Sequence, residues 1–254
     1  MEQLDVTCDA FLGGRIHVQQ PAKGFRSGLD AVFLAAACPA KPGERLLEAG
    51  CGVGAASLCL LARVPEINFT GVEFDGGLAS LAAANADANG FGLQFQAVCA
   101  DITQPWTTLE SLGLRQETYD HVLANPPFYA HGRARVSADA RNARSRAMEE
   151  GGLDAWLRFL AACAKPGGTA TVIHTAEALS QLLDAFERRF GDLRITPLYP
   201  KAGAPAIRVI LCGVKGSRAP LSLTPGLILH EEDGTPTPAA AAILSHGCRL
   251  FGNS

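Results

Sequence analysis

Asn125-Pro126-Pro127-Phe128 is the stretch with the most specific chemistry in this sequence. It follows an apolar run, Tyr119 to Ala124, of strand length. Two prolines at a strand end remove two backbone donors and hold φ at about −65°. Pro126 also pushes Asn125 into an extended conformation. The result is a stiff turn that displays carbonyl oxygens and one amide side chain, an acceptor array for an –NH2 group. An exocyclic amine is a poor nucleophile because its lone pair is delocalised into the ring. Accepting both its hydrogens, at the Asn125 amide oxygen and the Pro126 carbonyl, localises that pair for in-line attack, and positioning supplies much of the rate. Phe128 would stack on the flat substrate. The bland alternative is an ordinary Pro-Pro turn after a strand.

The second constellation is Glu48-Ala49-Gly50-Cys51-Gly52-Val53-Gly54. It begins in a strand-like apolar run and leads into Ala55 to Arg63, which reads as a helix. Glycine lets a ligand approach the backbone and takes positive φ, and the helix start aims free N–H groups at whatever binds. A dinucleotide fingerprint is spaced G-x-G-x-x-G. Here the glycines alternate, which suits a smaller ligand without a pyrophosphate. S-adenosylmethionine fits, and its methyl sulfonium is the electrophile the amine would attack. A plain tight turn is the alternative. A further apolar run, Ile67 to Val72, ends in Glu73, roughly 20 residues past the glycines, where a nucleotide-binding fold places a carboxylate on ribose hydroxyls. A third run, Leu93 to Cys99, ends near Asp101.

These residues need a scaffold that brings strand ends together. The Ala55 helix, the Asp75 to Asn89 helix closed by Gly90, a short helix near Leu109 and the Leu153 to Ala164 helix alternate with the strands. Pro166-Gly167-Gly168 breaks the last of these before a strand, Thr169 to His174. A helix, Ala176 to Phe190, and strands Leu193 to Leu198, Ile207 to Val214 and Leu227 to His230 follow, with a helix near Ala239 to Ser245. Alternation implies a parallel sheet covered on both faces, with ligands at the carboxyl ends of its strands. The link from Tyr199 to Pro205 is too short for a crossover, so its two strands pair antiparallel. At the front, Gly13-Gly14 reads as a hairpin turn, and Asp30 as the N-cap of a helix over Ala31 to Ala37, with Gly28 and Asp30 alternatively edging the cofactor pocket.

The chain of 254 residues is 48% apolar and 19% charged, which fits a soluble globular fold. Its acidic start lacks the basic and apolar regions of a signal peptide, and Ala31 to Ala40 is too short to span a bilayer. The 8 cysteines show no C-x-x-C pair and no ligand spacing, so no metal is expected and a reducing cytoplasm is. Cys51 reads as a small filler of the glycine turn. Net charge is −3, so any nucleic-acid surface must be local. Arg133, Arg135, Arg141, Arg144 and Arg146 fall just after the Asn-Pro-Pro turn, with Lys23 and Arg26 able to extend the patch.

Taken together, these motifs look like those of amino-group-modifying class I methyltransferases. Gly24-Phe25-Arg26-Ser27-Gly28-Leu29-Asp30-Ala31-Val32 and Leu12-Gly13-Gly14-Arg15 resemble the bacterial family that methylates adenine-37 of tRNA(Val) on its exocyclic nitrogen, a similarity covering roughly residues 8–215. The resemblance implies a Rossmann-like α/β fold, with a mostly parallel seven-stranded sheet carrying one antiparallel strand. It implies one catalytic unit: an edge segment over 1–40, a core over 41–215 and an extension over 216–254. The cofactor would be S-adenosylmethionine, held by Glu48, Gly50, Gly52, Gly54, Glu73 on the ribose and Asp101 on the adenine amine, with Gly28, Asp30 and Asn125 at its edge. Asn125, Pro126, Pro127 and Phe128 would hold the target base, and the substrate would be RNA, most naturally tRNA. Glu48 and Ala49 stand where the family usually has Asp and Leu or Ile. Phe128 stands where many adenine enzymes have Tyr, and is also common in enzymes methylating the guanine amine of ribosomal RNA. Glutamine methylation of a protein, using the same turn, is the other alternative.

Overall fold

The computed structural model describes residues 5–24, 26–127 and 152–250. Short apolar runs separated by amphipathic or Ala-rich segments leave the strands one economical arrangement, side by side and parallel, with each connecting helix packed back on the sheet. In chain order, a hairpin of β1 (Val6–Phe11) and β2 (Ile16–Pro21) closes through a 3-10 turn at Leu12–Gly14 and leads to α1 (Leu29–Ala37). Then come β3 (Arg45–Ala49), α2 (Ala55–Arg63), β4 (Asn68–Glu73), α3 (Gly76–Ala88) and β5 (Phe95–Cys99). They are followed by α4 (Trp106–Ser111), β6 (Tyr119–Ala124), α5 (Leu153–Cys163), β7 (Ala164–Thr175), α6 (Leu179–Glu187), β8 (Phe190–Tyr199) and β9 (Arg208–Lys215). Two short strands, β10 (Ser222–Leu223) and β11 (Leu227–Ile228), precede α7 (Pro238–His246).

The sheet runs β5-β4-β3-β6-β7-β9-β8, with β10 and β11 both pairing with the outer side of β8. Every neighbouring pair is parallel except β7/β9 and β8/β9, so β9 is the one reversed strand, as the short link before it requires. The expected seven strands are therefore present, and two two-residue strands widen the sheet to nine. Helices α1, α2 and α3 bury one face and α4, α5 and α6 the other.

Four local expectations are corrected. Asp30 does not cap α1: Gly28 holds that position, and the Asp30 carboxylate reaches Arg208 Nε at 2.9 Å. Pro166-Gly167-Gly168 does not separate helix from strand, because β7 begins at Ala164 and bulges against β6 between the pairs Tyr119↔Ala164 and His121↔Thr169. The segment after Thr175 opens with a 3-10 turn and its helix ends at Glu187, leaving Phe190 to start β8. The Leu227 strand stops at Ile228.

The hairpin is tied down by side chains acting as a substitute strand edge. Asn85 of α3 and Asn89, the residue that closes it, lie one turn apart and face the same way. The Asn85 amide accepts from Gln19 N–H and donates to Gln19 C=O, and Asn89 does the same with His17. At the hairpin's own turn, Arg15 donates to the carbonyls of His246 and Ala62, so one cation sits on the negative ends of α7 and α2, while Arg249 donates to the carbonyl of Ala40 beyond α1.

Candidate active site

Parallel register decides which residues meet. Ala49 pairs with Val72 on one side and Ala124 on the other, and Glu73 pairs with Cys99. The glycine turn, Glu73, Asp101 and Asn125 thus leave four adjacent strands at the same edge, where an open α/β sheet binds its ligand.

The glycine turn is held by backbone bonds from Gly50 and Cys51 N–H to Val72 C=O, at 2.7 and 3.0 Å. Gly50, Gly52 and Gly54 have φ of 66°, 55° and 84°, a left-handed geometry at every second residue that glycine alone adopts without strain. A Cβ at Gly52 would meet nothing within 4 Å, so this side of the turn is an open ledge. A Cβ at Gly50 would lie 2.6 Å from the Trp156 ring of α5. Cys51 is buried, and burial pushes its thiol well above the ordinary range, which fits a filler and not a nucleophile.

Glu73 lies half-buried beside the turn. Its Oε2 accepts from Gly52 N–H at 2.9 Å and its Oε1 from Asp75 N–H at 3.0 Å. The Asp75 side chain caps α3 through Gly77 and Leu78 N–H. Asp101 uses Oδ1 for Thr103 N–H and hydroxyl, at 2.9 and 2.7 Å. Asn125 directly follows β6, with its amide oxygen Oδ1 buried and without a hydrogen-bond partner among the described residues. Buried acceptors are rarely left empty, and this one stands at the carboxyl end of a strand, where an open α/β sheet binds its ligand.

Glu48 does not face the ledge, contrary to expectation. Its carboxylate is 3% exposed and accepts from Ser57 N–H at 3.1 Å and Ser57 Oγ at 2.5 Å, capping the start of α2 from the strand below. It braces the turn that α2 follows. Desolvation is the main reason its carboxyl is pushed up to about 8, with the Glu73 charge adding to it. The folded chain therefore holds a proton that the unfolded chain, ionising at about 4.5, releases. Stability from this group is complete below that pH and is lost as pH rises towards about 8. Glu48→Gln, neutral throughout, is expected to flatten the dependence of the unfolding midpoint on pH across this window. An unchanged slope would show that Glu48 is not the group responsible.

Arg26, expected at an RNA surface, is instead occupied by the hairpin: it pairs with Asp9 and donates to Thr7 Oγ1 and Pro21 C=O. Its neighbour Lys23 is exposed. Asp30, expected at the pocket edge, is neutralised by Arg208, and exposed Gly28 precedes it. Phe128 and the arginines 133, 135, 141, 144 and 146 lie outside the described residues. Three participants escaped sequence reading. Ser57 anchors Glu48, Asn85 donates to Val53 C=O within the glycine turn at 3.0 Å, and Trp156 covers Gly50. Only the i, i+4 asparagines of an otherwise Ala-rich helix offered a signal. Among the described residues no group of three or more His, Cys, Asp or Glu is placed to hold a metal, and no helix is long and apolar enough to cross a membrane.

A sheet of this topology, with alternating left-handed glycines, an acid after the next strand and an Asn-Pro-Pro turn after the fourth, defines an S-adenosylmethionine-dependent class I methyltransferase. The methyltransferase small domain family matches residues 28–153. An enzyme of Aeromonas hydrophila subsp. hydrophila, named tRNA1(Val) (adenine(37)-N6)-methyltransferase, is 30% identical over 233 residues, covering 87% of this chain and 89% of its own. A Shewanella halifaxensis protein of the same name is 28% identical over 166 residues, 65% of this chain and 64% of its own. Among solved structures, the Agrobacterium tumefaciens protein Atu636, described as a predicted O-methyltransferase, superposes with a TM-score of 0.74 at 26% identity, covering 88% of this chain and 99% of that one. The chain belongs to the tRNA1(Val) (adenine(37)-N6)-methyltransferase family.

Proposed function

We propose that this enzyme methylates an exocyclic base amine of RNA, the N6 amine of an adenine in tRNA. The observation that carries the reading is the empty, buried amide oxygen of Asn125, next to the glycine turn. An amide oxygen accepts a hydrogen bond but does not remove a proton, which suits an amine better than a hydroxyl. The relatives named for adenine-37 of tRNA1(Val) support the choice of base and RNA.

When bound, S-adenosylmethionine supplies an electrophilic methyl group on sulfonium. Gly50, Gly52 and Gly54 give the ledge on which its methionine part lies, Glu73 takes the ribose hydroxyls and Asp101, through Oδ2, the adenine amine. Pro126 and Pro127 fix Asn125 so that its amide oxygen and the Pro126 carbonyl accept the two hydrogens of the target amine and direct its lone pair at the methyl carbon. Phe128 stacks on the base. Lys23 and the arginines 133, 135, 141, 144 and 146 contact phosphate, which positions the RNA without reading its sequence. The whole chain acts as one catalytic unit. Its eight cysteines, all free, are in keeping with the reducing cytoplasm where tRNA is found.

Labelled methyl transfer into total tRNA, followed by nucleoside analysis, tests the reading. N6-methyladenosine is the expected product. N2-methylguanosine in ribosomal RNA, or label in a protein glutamine, would replace it with one of the two alternatives. For the cofactor half, Glu73→Ala and Asp101→Ala should each weaken S-adenosylmethionine binding by about 10- to 150-fold, the worth of a hydrogen bond to a charged acceptor. Calorimetry showing parental affinity in both would remove these acids from the site.

A further inference from the structure

Among the described residues, buried side-chain atoms without a hydrogen-bond partner occur on three side chains: Arg63, Asn125 and Trp156. Arg63 sits at the end of α2 and already donates through Nη2 to the carbonyls of Ala35 and Cys38, so its guanidinium is partly satisfied where it lies. The other two atoms are complementary in kind, and both side chains adjoin the glycine turn, Asn125 from the neighbouring strand and Trp156 through the six-membered ring of its indole. Asn125 Oδ1 is an acceptor, and Trp156 Nε1 a donor. The glycine turn continues β3 where Asn125 continues β6, and the Trp156 ring packs against Gly50 of that turn.

Trp156 is not held there by chance packing. It lies in the first turns of α5, whose Asp154 makes a two-pronged pair with Arg189, at 2.8 and 3.1 Å. Three residues on from Trp156, the Phe159 ring stacks on Trp106 with 5.9 Å between centroids and 5° between planes. The indole is 7% exposed. Its N–H is buried with no partner among the described residues, and an empty buried donor is a destabilising feature that a bound acceptor would relieve.

An amine on a nitrogen heterocycle presents a donor hydrogen and, one atom further round the ring, an acceptor nitrogen. That donor–acceptor edge matches the Asn125 acceptor and the Trp156 donor. Resting on the reading that the target is an adenine amine, we propose that Trp156 Nε1–H donates to the ring nitrogen beside the target N6, N1 or N7. It would then be a substrate-recognition residue that, with Asn125, reads the base by two points. A second hydrogen bond fixes the rotation of the base in its plane, which a single contact to the amine leaves free.

The test crosses one enzyme change with one substrate change. Trp156→Phe keeps an aromatic ring against Gly50 and removes the N–H. The substrates are a synthetic tRNA fragment with adenosine at the target position and the same fragment with 1-deaza- or 7-deazaadenosine, in which a C–H replaces one ring nitrogen. The parent enzyme should lose about 10- to 100-fold in kcat/KM on one deaza fragment. Trp156→Phe should lose a similar factor on adenosine and nothing further on that same deaza fragment. S-adenosylmethionine affinity, measured by calorimetry, should not change, which also shows that the variant is folded. Independent, multiplying losses with both deaza fragments would overturn the assignment while leaving adenine as the target. So would parental activity in Trp156→Phe, or a loss of cofactor binding in it. No methyl transfer by the parent enzyme to the adenosine fragment would sink the adenine reading itself, and this assignment with it.

Discussion

Asn125→Ala should lower turnover by about 10²- to 10³-fold and leave S-adenosylmethionine affinity at the parental value. The magnitude is that of removing one preorganised polar group aimed at a reacting centre. The direction follows from where the amide sits. Asn125 follows β6, one strand over from the glycine turn, and its Oδ1 has no partner among the described residues. Its removal leaves no other side chain unpaired at that oxygen, so the fold should lose little. What disappears is one of two acceptors for the target amine, and with it the localisation of the lone pair. Stopped-flow methyl transfer under single-turnover conditions measures this step apart from product release. Near-parental transfer would show that the acceptor array is not used. Loss of cofactor binding instead would move Asn125 to the other half of the site.

Much of this site was legible before the fold because its signals are local. The turn from Gly50 to Gly54 needs positive φ at alternate residues, and only glycine supplies that freely, so the requirement is written in residue type. Tyr119–Ala124 and Ala55–Arg63 emerge with the limits read from the sequence, because Asn-Pro-Pro and Gly54 punctuate them. Ion pairing over long separations was not legible. Asp30 carries the sequence pattern of a helix cap, yet Arg208, 178 positions away, takes its carboxylate. Arg26 looks like a free cation until β1 brings Asp9 to it. Pro166-Gly167-Gly168 has the composition of a break, but strand pairing on both sides of it carries the chain through as a bulge. Trp156 is the plainest case. An aromatic residue in an apolar helix reads as core, and only the tertiary structure shows that its N–H is empty and its ring edge rests on the glycine turn.

That contact separates two glycines that look equivalent in sequence. Gly52→Ala and Gly50→Ala both force a Cβ into the left-handed region, at a cost of about 1–2 kcal/mol. For Gly52 that is the whole cost to the fold, since the new methyl meets nothing within 4 Å. The methyl also occupies the open side of the turn, so S-adenosylmethionine affinity should fall by about 10- to 100-fold in a protein that has lost only the backbone part of its stability. For Gly50 the methyl would stand 2.6 Å from one carbon of Trp156 and 2.9 Å from another. Trp156 is buried on an anchored helix and has little room to retreat, so overpacking adds about 1–3 kcal/mol to the backbone strain. Gly50→Ala should therefore be clearly the less stable of the two variants in urea unfolding. Adding Trp156→Leu to it should recover the overpacking part and leave the backbone part, giving a coupling between the two positions that Gly52→Ala with Trp156→Leu lacks. Equal destabilisation of Gly50→Ala and Gly52→Ala, with no coupling to position 156 in either, would mean that the indole does not rest on the turn, and the assignment of its N–H to the substrate would lose its geometric basis.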